Sequence, residues 1–290
     1  MTRDAKPMIE AELERRAAFC REVATSAGAL ALEGFERQCR ADAPVGRKGP
    51  QDFLTETDGA VERHLRARLA EAFPEDEFLG EETGGTVTSG RVWVVDPIDG
   101  TANFARGIPH FCISIAFVAD GVIEIGAIAV PAMGELYFAR RGRGAFRNEE
   151  ALRVAGTDTF EAACVELGWS NRVPQGRYLE VLTGILDAGA NVRRAASGAL
   201  GLAYVADGRS DGYLELHMNS WDCLAGLLLA EEAGARICGF LAGENALAGG
   251  GAVLAVTPAL AAQLSRIAGI ELAPDAGTAS HAQRPLAAAV

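Results

Sequence analysis

The segment Arg91–Thr101, RVWVVDPIDGT, constrains the chain more than any other. Val92, Val94 and Val95 make a short β-prone run that is apolar on both faces, and it stops abruptly at Asp96-Pro97. Pro97 fixes φ and removes a backbone donor, while Gly100 permits backbone geometries closed to other residues. Asp96 and Asp99 therefore sit three apart on a stiff turn, able to aim at one point. Two such anions repel unless a cation lies between them. Oxygen ligands with a backbone carbonyl suit Mg²⁺, Mn²⁺ or Ca²⁺ rather than zinc. Asp-Pro and Asp-Gly are also ordinary turn dipeptides, so the segment alone leaves both readings open.

Three further segments place carboxylates at expected element ends: Asp52-Phe-Leu-Thr-Glu-Thr-Asp58, Gly80-Glu81-Glu82 and Trp221-Asp222. Each has a plain structural reading as well. Thr55-x-x-Asp58 approximates a capping box, Asp222 can cap the helix carrying Leu224, Leu227 and Leu228, and Glu81-Glu82 can be a solvated pair. It is their joint occurrence that points to a metal site.

Around these segments the periodicity divides the chain. Leu13, Ala17, Cys20, Val23, Ala24, Ala27, Leu30 and Ala31 predict a helix from Ala11 to about Phe35, followed by a loop or irregular hairpin over 36–50. A second helix starts at Thr55 and ends before Pro74. Phe111–Val118 and Val122–Val130 flank Ala119-Asp120-Gly121, a hairpin signal, and a second hairpin joins Glu135–Ala139 to Ala145–Arg147 through Gly142 and Gly144. Beyond residue 150, β-like runs at Ala163–Leu167, Asn191–Arg194, Gly212–Leu216 and Ala252–Val256 alternate with helical ones at Tyr178–Ala188, Ser197–Ala206, Trp221–Ala233 and Pro258–Ile267. The expectation is an α+β domain over 1–150 carrying most of the metal ligands. An α/β domain over 151–272 would carry Asp222 and a substrate pocket, with a poorly ordered tail at 273–290.

Composition narrows the function classes. With 27 basic against 39 acidic residues the net charge is −12, a field that repels phosphodiester backbones and anionic membranes. No nucleic-acid or membrane partner is expected. A phosphate-bearing substrate stays possible if a cation reverses the local sign. The six cysteines form no CxxC pair and the four histidines no HExxH, which disfavours a thiolate or histidine metal site. The first residues show no signal-peptide pattern and no apolar run is long enough to span a bilayer, so a cytoplasmic location is expected.

The segment Trp93–Phe104, WVVDPIDGTANF, resembles the signature of the inositol monophosphatase family of metal-dependent phosphomonoesterases. Asp52…Thr55-Glu-Thr-Asp58, Gly80-Glu-Glu82, Gly142–Asn148 and Trp221–Gly226 resemble the family's other elements, in the same order. The resemblance implies a layered αβαβα sandwich of the sugar-phosphatase type and two or three Mg²⁺ per site. Glu81, Asp96 and the carbonyl of Ile98 would hold one ion, and Asp96, Asp99 and Asp222 a second. Asp58 and Thr101, with Glu81, would prepare the attacking water for in-line hydrolysis. Gly100 and Thr101 would offer amides to the phosphate at a helix N-terminus. Ala196, Ser197 and Glu215 would line the alcohol pocket.

Glu215 suits either polyol hydroxyls or an ammonium group and does not choose between them; the resemblance implies inositol monophosphate as the substrate, with histidinol phosphate as the alternative on the same scaffold. A further alternative, from another class, is a non-catalytic binding or regulatory protein. Ala196 stands where many members have glycine, Asn219 where several have histidine, and Leu224 where a smaller residue is usual. All three fall near the alcohol pocket rather than at the metals. Lys48 matches a basic position near the metals' water. A homodimer and lithium sensitivity are further family expectations.

Overall fold

The computed structural model describes residues 9–40, 46–49, 52–85, 87–88, 90–243 and 245–274, with only the backbone at 46–49 and 52–54. The side chains of Lys48 and Asp52, and the tail expected at 273–290 from residue 275 onward, lie outside the described residues.

Helix α1 (Glu10–Arg40) buries a stripe of small side chains, Ala17, Cys20, Ala24, Ala27 and Ala31, which lets it lie close to its neighbours. It runs five residues past the end expected at Phe35. Arg37 and Arg40 in its last turn suit the negative end of the helix, and Arg40 pairs with Glu36 one turn back. Strands β1 (Gly46–Gly49) and β2 (Asp52–Leu54) form a small antiparallel pair, so the irregular hairpin lies later than expected. Helix α2 (Glu56–Ala72) follows, capped by Thr55.

Seven strands then build one sheet in sequential order: β3 (Glu77–Gly80), β4 (Arg91–Asp99), β5 (Cys112–Ala119), β6 (Val122–Val130), β7 (Glu135–Arg140), β8 (Ala145–Arg147) and β9 (Glu150–Ala151). Strand β3 pairs parallel to β4 and the remaining neighbours are antiparallel. Strand β4 continues to Asp99 through an irregularity between Asp96 and Asp99, rather than stopping at Val95. The one-turn helix α3 (Thr101–Phe104) leaves its end. Asp120 and Gly121 close the β5–β6 hairpin with φ of 51° and 79°, the positive pair that a tight two-residue turn requires.

The second sheet has the order β11-β10-β12-β14-β13, from β10 (Cys164–Leu167), β11 (Asn191–Arg193), β12 (Gly212–Met218), β13 (Arg236–Ile237) and β14 (Gly251–Val256). Strand β10 is parallel to β11 and β12, whereas β14 is antiparallel to β12 and β13. Helices α4 (Gln175–Asp187), α5 (Gly198–Ala206), α6 (Ser220–Glu232), α7 (Ala246–Gly249) and α8 (Ala261–Ala268) complete the chain.

The layers run α1/α2, seven-stranded sheet, α5/α6, five-stranded sheet, α4/α8. This is the expected αβαβα sandwich. One face of the first sheet (Trp93, Ile115, Phe117, Ile125) packs on α1 and α2, and the other (Val92, Val94, Ala116, Ile128) joins α5, α6 and the second sheet in one core. Helix α6 is apolar on nearly every side because it is covered from both sheets. Its approach demands glycine: a Cβ on Gly126 would lie 2.8 Å from the Ala225 carbonyl, and one on Gly226 would lie 2.5 Å from Leu202 Cβ. Among the described residues no helix is long and apolar enough to cross a membrane.

Candidate metal and phosphate site

The layered fold brings the C-terminal ends of β3 and β4 to the N-terminal ends of α2, α5 and α6. Glu81 follows β3, Asp96 lies in the last part of β4, and Asp222 sits in the first turn of α6. Their carboxylate oxygens come within 4.8 Å of one another. Ser114, paired with Asp96 across the β4–β5 ladder, donates its hydroxyl to the Trp221 carbonyl at 2.9 Å and so ties α6 to this point. Asp96 is buried and accepts the Ile98 amide at 2.9 Å on Oδ1.

Burial raises the Asp96 pKa well above the carboxylate range, and the charges of Glu81, Asp99 and Asp222 push it further. Asp222 is pushed up to about 7, first by burial and then by Asp99. Three acids converge here, all oxygen donors, and the charges of Glu81 and Asp222 disfavour the ionisation of Asp96 between them. A hard divalent cation suits that donor set and removes the repulsion.

Asp99 lies outside the group of three but close enough to act on it electrostatically, and its oxygens also accept hydrogen bonds from the start of α5. Oδ2 accepts Ser197 Oγ at 2.6 Å and the Ala199 amide at 2.7 Å, and Oδ1 accepts the Gly198 amide at 3.2 Å. Cys112 Sγ lies 3.6 Å from Oδ2. Asp99 therefore caps α5. Burial raises its pKa, and these donors pull it back.

Asp58 and Thr101 meet from different elements. Asp58 is the third residue of α2 and completes a capping box with Thr55, accepting the Thr55 amide at 2.9 Å as well as its hydroxyl. The Thr101 hydroxyl lies 2.9 Å from the Ile98 carbonyl and 3.2 Å from Asp58 Oδ1. Its single proton serves one of them at a time. Burial raises the Asp58 pKa against the hydrogen bonds from Thr55. The capping and site readings of this segment thus coexist, as they do at Asp222, which forms the same box with Asn219.

Gly100 has φ of 95°, and a Cβ there would lie 3.0 Å from the His110 carbonyl and 3.2 Å from Ser197 Cβ. Helix α3 spans only Thr101–Phe104, so an anion here would meet the individual amides of its first turn, with little macrodipole behind them.

A cleft of 470 Å³ opens beside these groups, lined by Asp99, Gly100, Thr101 and Asp222 on the reacting side. Its other residues include Trp169, Arg194, Ala196, Ser197, Tyr213 and Glu215. Glu215 Oε2 accepts the Tyr213 hydroxyl at 2.7 Å, and burial pushes its pKa up to about 7. Ala196 has φ of 61°, in the left-handed region where glycine alone carries no steric penalty.

Two residues of this region had no motif to announce them. Glu62, buried on α2, accepts the Glu82 amide at 2.8 Å, the Thr83 amide at 3.1 Å and the Thr83 hydroxyl, and so fixes the turn that carries Glu81. Its only sequence signal was a carboxylate one turn after Asp58 on the face shared with Leu65 and Leu69. Trp169 at the cleft rim had no such signal.

A layered sandwich with an oxygen-only carboxylate centre beside an open polar cleft is the arrangement of a class of metal-dependent phosphatases. Residues 12–270 match the inositol monophosphatase family, and the chain belongs to it. It is 44% identical over 195 residues to the inositol-1-monophosphatase of Rhizobium meliloti, covering 66% of this chain and 73% of that one. It is 37% identical over 252 residues to the Nus factor SuhB of Pseudomonas aeruginosa, covering 84% and 92%. The crystal structure of the extragenic suppressor protein suhB from Bartonella henselae superimposes with a TM-score of 0.79 at 32% identity, over 87% of this chain and 97% of that one.

Proposed function

We propose that the protein is a Mg²⁺-dependent phosphomonoesterase that hydrolyses inositol monophosphate to inositol and phosphate. The convergence of Glu81, Asp96 and Asp222 within 4.8 Å carries this reading. Glu81, Asp96, Asp222 and the Ile98 carbonyl would hold Mg²⁺, with Asp99 serving a second ion alongside Asp96 and Asp222. When bound, the cations supply Lewis acidity and neutralise charge on the transferring phosphoryl group.

The chain's own groups do the rest. The amides of Gly100 and Thr101 receive phosphate oxygens, and the Thr101 hydroxyl orients the attacking water. Asp58, whose burial favours the protonated form, accepts the proton that water releases. Ala196 and Ser197 shape the alcohol pocket, where Glu215 accepts hydrogen bonds from the leaving alcohol. A homodimer and inhibition by lithium belong to the same proposal.

Phosphate release from inositol 1-phosphate and L-histidinol phosphate, each with and without Mg²⁺, tests it. Metal-dependent release favouring inositol 1-phosphate supports the full reading. Preference for histidinol phosphate keeps the chemistry and changes the substrate. Relatives named Nus factor favour a second reading, a binding or regulatory protein that retains the fold. Release from neither ester, with Mg²⁺ bound, would bring that reading forward.

A further inference from the structure

Tyr213 and Glu215 stand two apart on β12 and so share one face of the strand. The buried Tyr213 donates its hydroxyl to Glu215 Oε2 at 2.7 Å. Glycines from two other elements close around this pair. Gly168, just after β10, donates its amide to the Leu214 carbonyl at 2.9 Å. A Cβ on Gly168 would overlap Glu215 Oε2 and lie 2.6 Å from the Tyr213 hydroxyl oxygen. On α5, a Cβ on Gly198 would lie 2.9 Å from that oxygen, and one on Gly201 2.6 Å from Tyr213 Cδ2. Gly201 sits inside a helix, where alanine is the more stable residue, so room for the ring and not helix propensity accounts for it.

We infer that Tyr213 is a positioning residue, whose hydroxyl holds the Glu215 carboxylate through Oε2 so that it accepts a hydroxyl of the leaving alcohol. The inference rests on the phosphomonoesterase reading of the cleft and adds the group that keeps Glu215 in its accepting form. A buried carboxylate without a donor tends to take up a proton, and the protonated group loses acceptor capacity. Burial raises the Glu215 pKa, the Tyr213 hydrogen bond lowers it, Asp99 raises it and Arg194 lowers it. Asp222, Glu166 and Arg106 are the other charged groups lining the cleft. Burial, and then the charge of Glu215, keep the proton on the Tyr213 phenol, so its hydroxyl stays a donor.

The test compares the full-length wild type with Tyr213→Phe and Glu215→Gln on inositol 1-phosphate and phenyl phosphate, in saturating Mg²⁺ from pH 6 to 9. Phenyl phosphate has no further hydroxyl for Glu215 to bind. The ratio of the two kcat/KM values therefore cancels the pH dependence of the metals and the attacking water. In Tyr213→Phe the curve of this ratio against pH should move up by about one pH unit, the worth of a hydrogen bond to a charged group. The ratio should fall about fivefold at pH 7, through KM, and largely recover at pH 9. Glu215→Gln should make the ratio independent of pH. An equal loss on both esters in Tyr213→Phe would overturn the inference, as would a ratio unaltered at every pH.

A second readout does not need turnover. Carboxyl ¹³C resonances of the glutamate-labelled full-length protein in Mg²⁺, with Glu215→Gln to identify the signal, follow the Glu215 proton directly. The midpoint should rise by about one pH unit in Tyr213→Phe, and an unmoved midpoint would overturn the inference. A raised midpoint without hydrolysis of either ester would leave the hold of Tyr213 on Glu215 standing and remove the phosphatase reading.

Discussion

Asp99 at the end of β4 accepts a hydrogen bond of 2.6 Å from Ser197, the N-cap of α5, and this contact locks the two sheets' contributions to the cleft together. Removing the hydroxyl leaves a buried carboxylate with two amides and a weak thiol donor. Ser197→Ala should cost about 2 kcal/mol in urea unfolding, the usual worth of a hydrogen bond to a charged group. In a double-mutant cycle with Asp99→Asn the coupling should reach about 1 kcal/mol. Additive losses would mean that the contact contributes nothing of its own.

Ala196 precedes that cap in a left-handed conformation, with φ of 61°. An L-residue there pays roughly 1–2 kcal/mol, partly offset because glycine loses more backbone entropy on folding. Ala196→Gly should therefore stabilise the protein by about 0.5–1 kcal/mol, read as a higher denaturation midpoint with an unaltered slope. Lower stability would show that the entropy of the glycine chain dominates.

Glu62 supports the metal site without belonging to it. Glu62→Ala would release the Glu82 and Thr83 amides that fix the turn bearing Glu81. Supporting residues of this kind are worth roughly 10–100-fold in metal affinity, so Mn²⁺ binding measured by calorimetry should weaken at least tenfold. Gly80→Ala should act in the same direction, because its Cβ would collide with the Glu62 carboxylate. Unaltered affinity in both variants would separate the turn from the metal.

The parts legible in the sequence were those written in local patterns. The α2 start at Thr55, the Asp120-Gly121 turn and the β/α alternation after residue 150 all depend on neighbouring residues, and each appears close to its expected place. The convergence of Glu81, Asp96 and Asp222 was legible only through the order of several motifs. What stayed hidden depends on contacts between distant segments. Strand β3, Glu-Phe-Leu-Gly, is too short and too polar to announce itself and exists because β4 offers an edge. Glu62 reads as an ordinary helix carboxylate until the 82–83 amides arrive. Asp99 reads as a free ligand, and its engagement by Ser197, Gly198 and Ala199 depends on residues almost a hundred positions away.

The titration of the carboxylates gives a last prediction, one in which acid and metal act alike. Asp222 and Glu215 have pKa values of about 7 in the folded protein, against roughly 4 for an ordinary unfolded carboxylate. Between those limits the folded state binds more protons than the unfolded state, so without metal its stability falls as pH rises from about 4 to about 7. Above that window both groups are ionised and the penalty is complete. Divalent cations bind the ionised carboxylates around Asp96, so Mg²⁺ should raise the melting temperature strongly at pH 8 and scarcely at pH 5. Melting curves in EDTA and in Mg²⁺ across pH 5–8 should converge at the acid end and diverge toward the alkaline end. If the curve in EDTA instead rose with pH through this range, the carboxylates would be stabilised by partners in the fold, and repulsion among them could not be what draws a cation to this site.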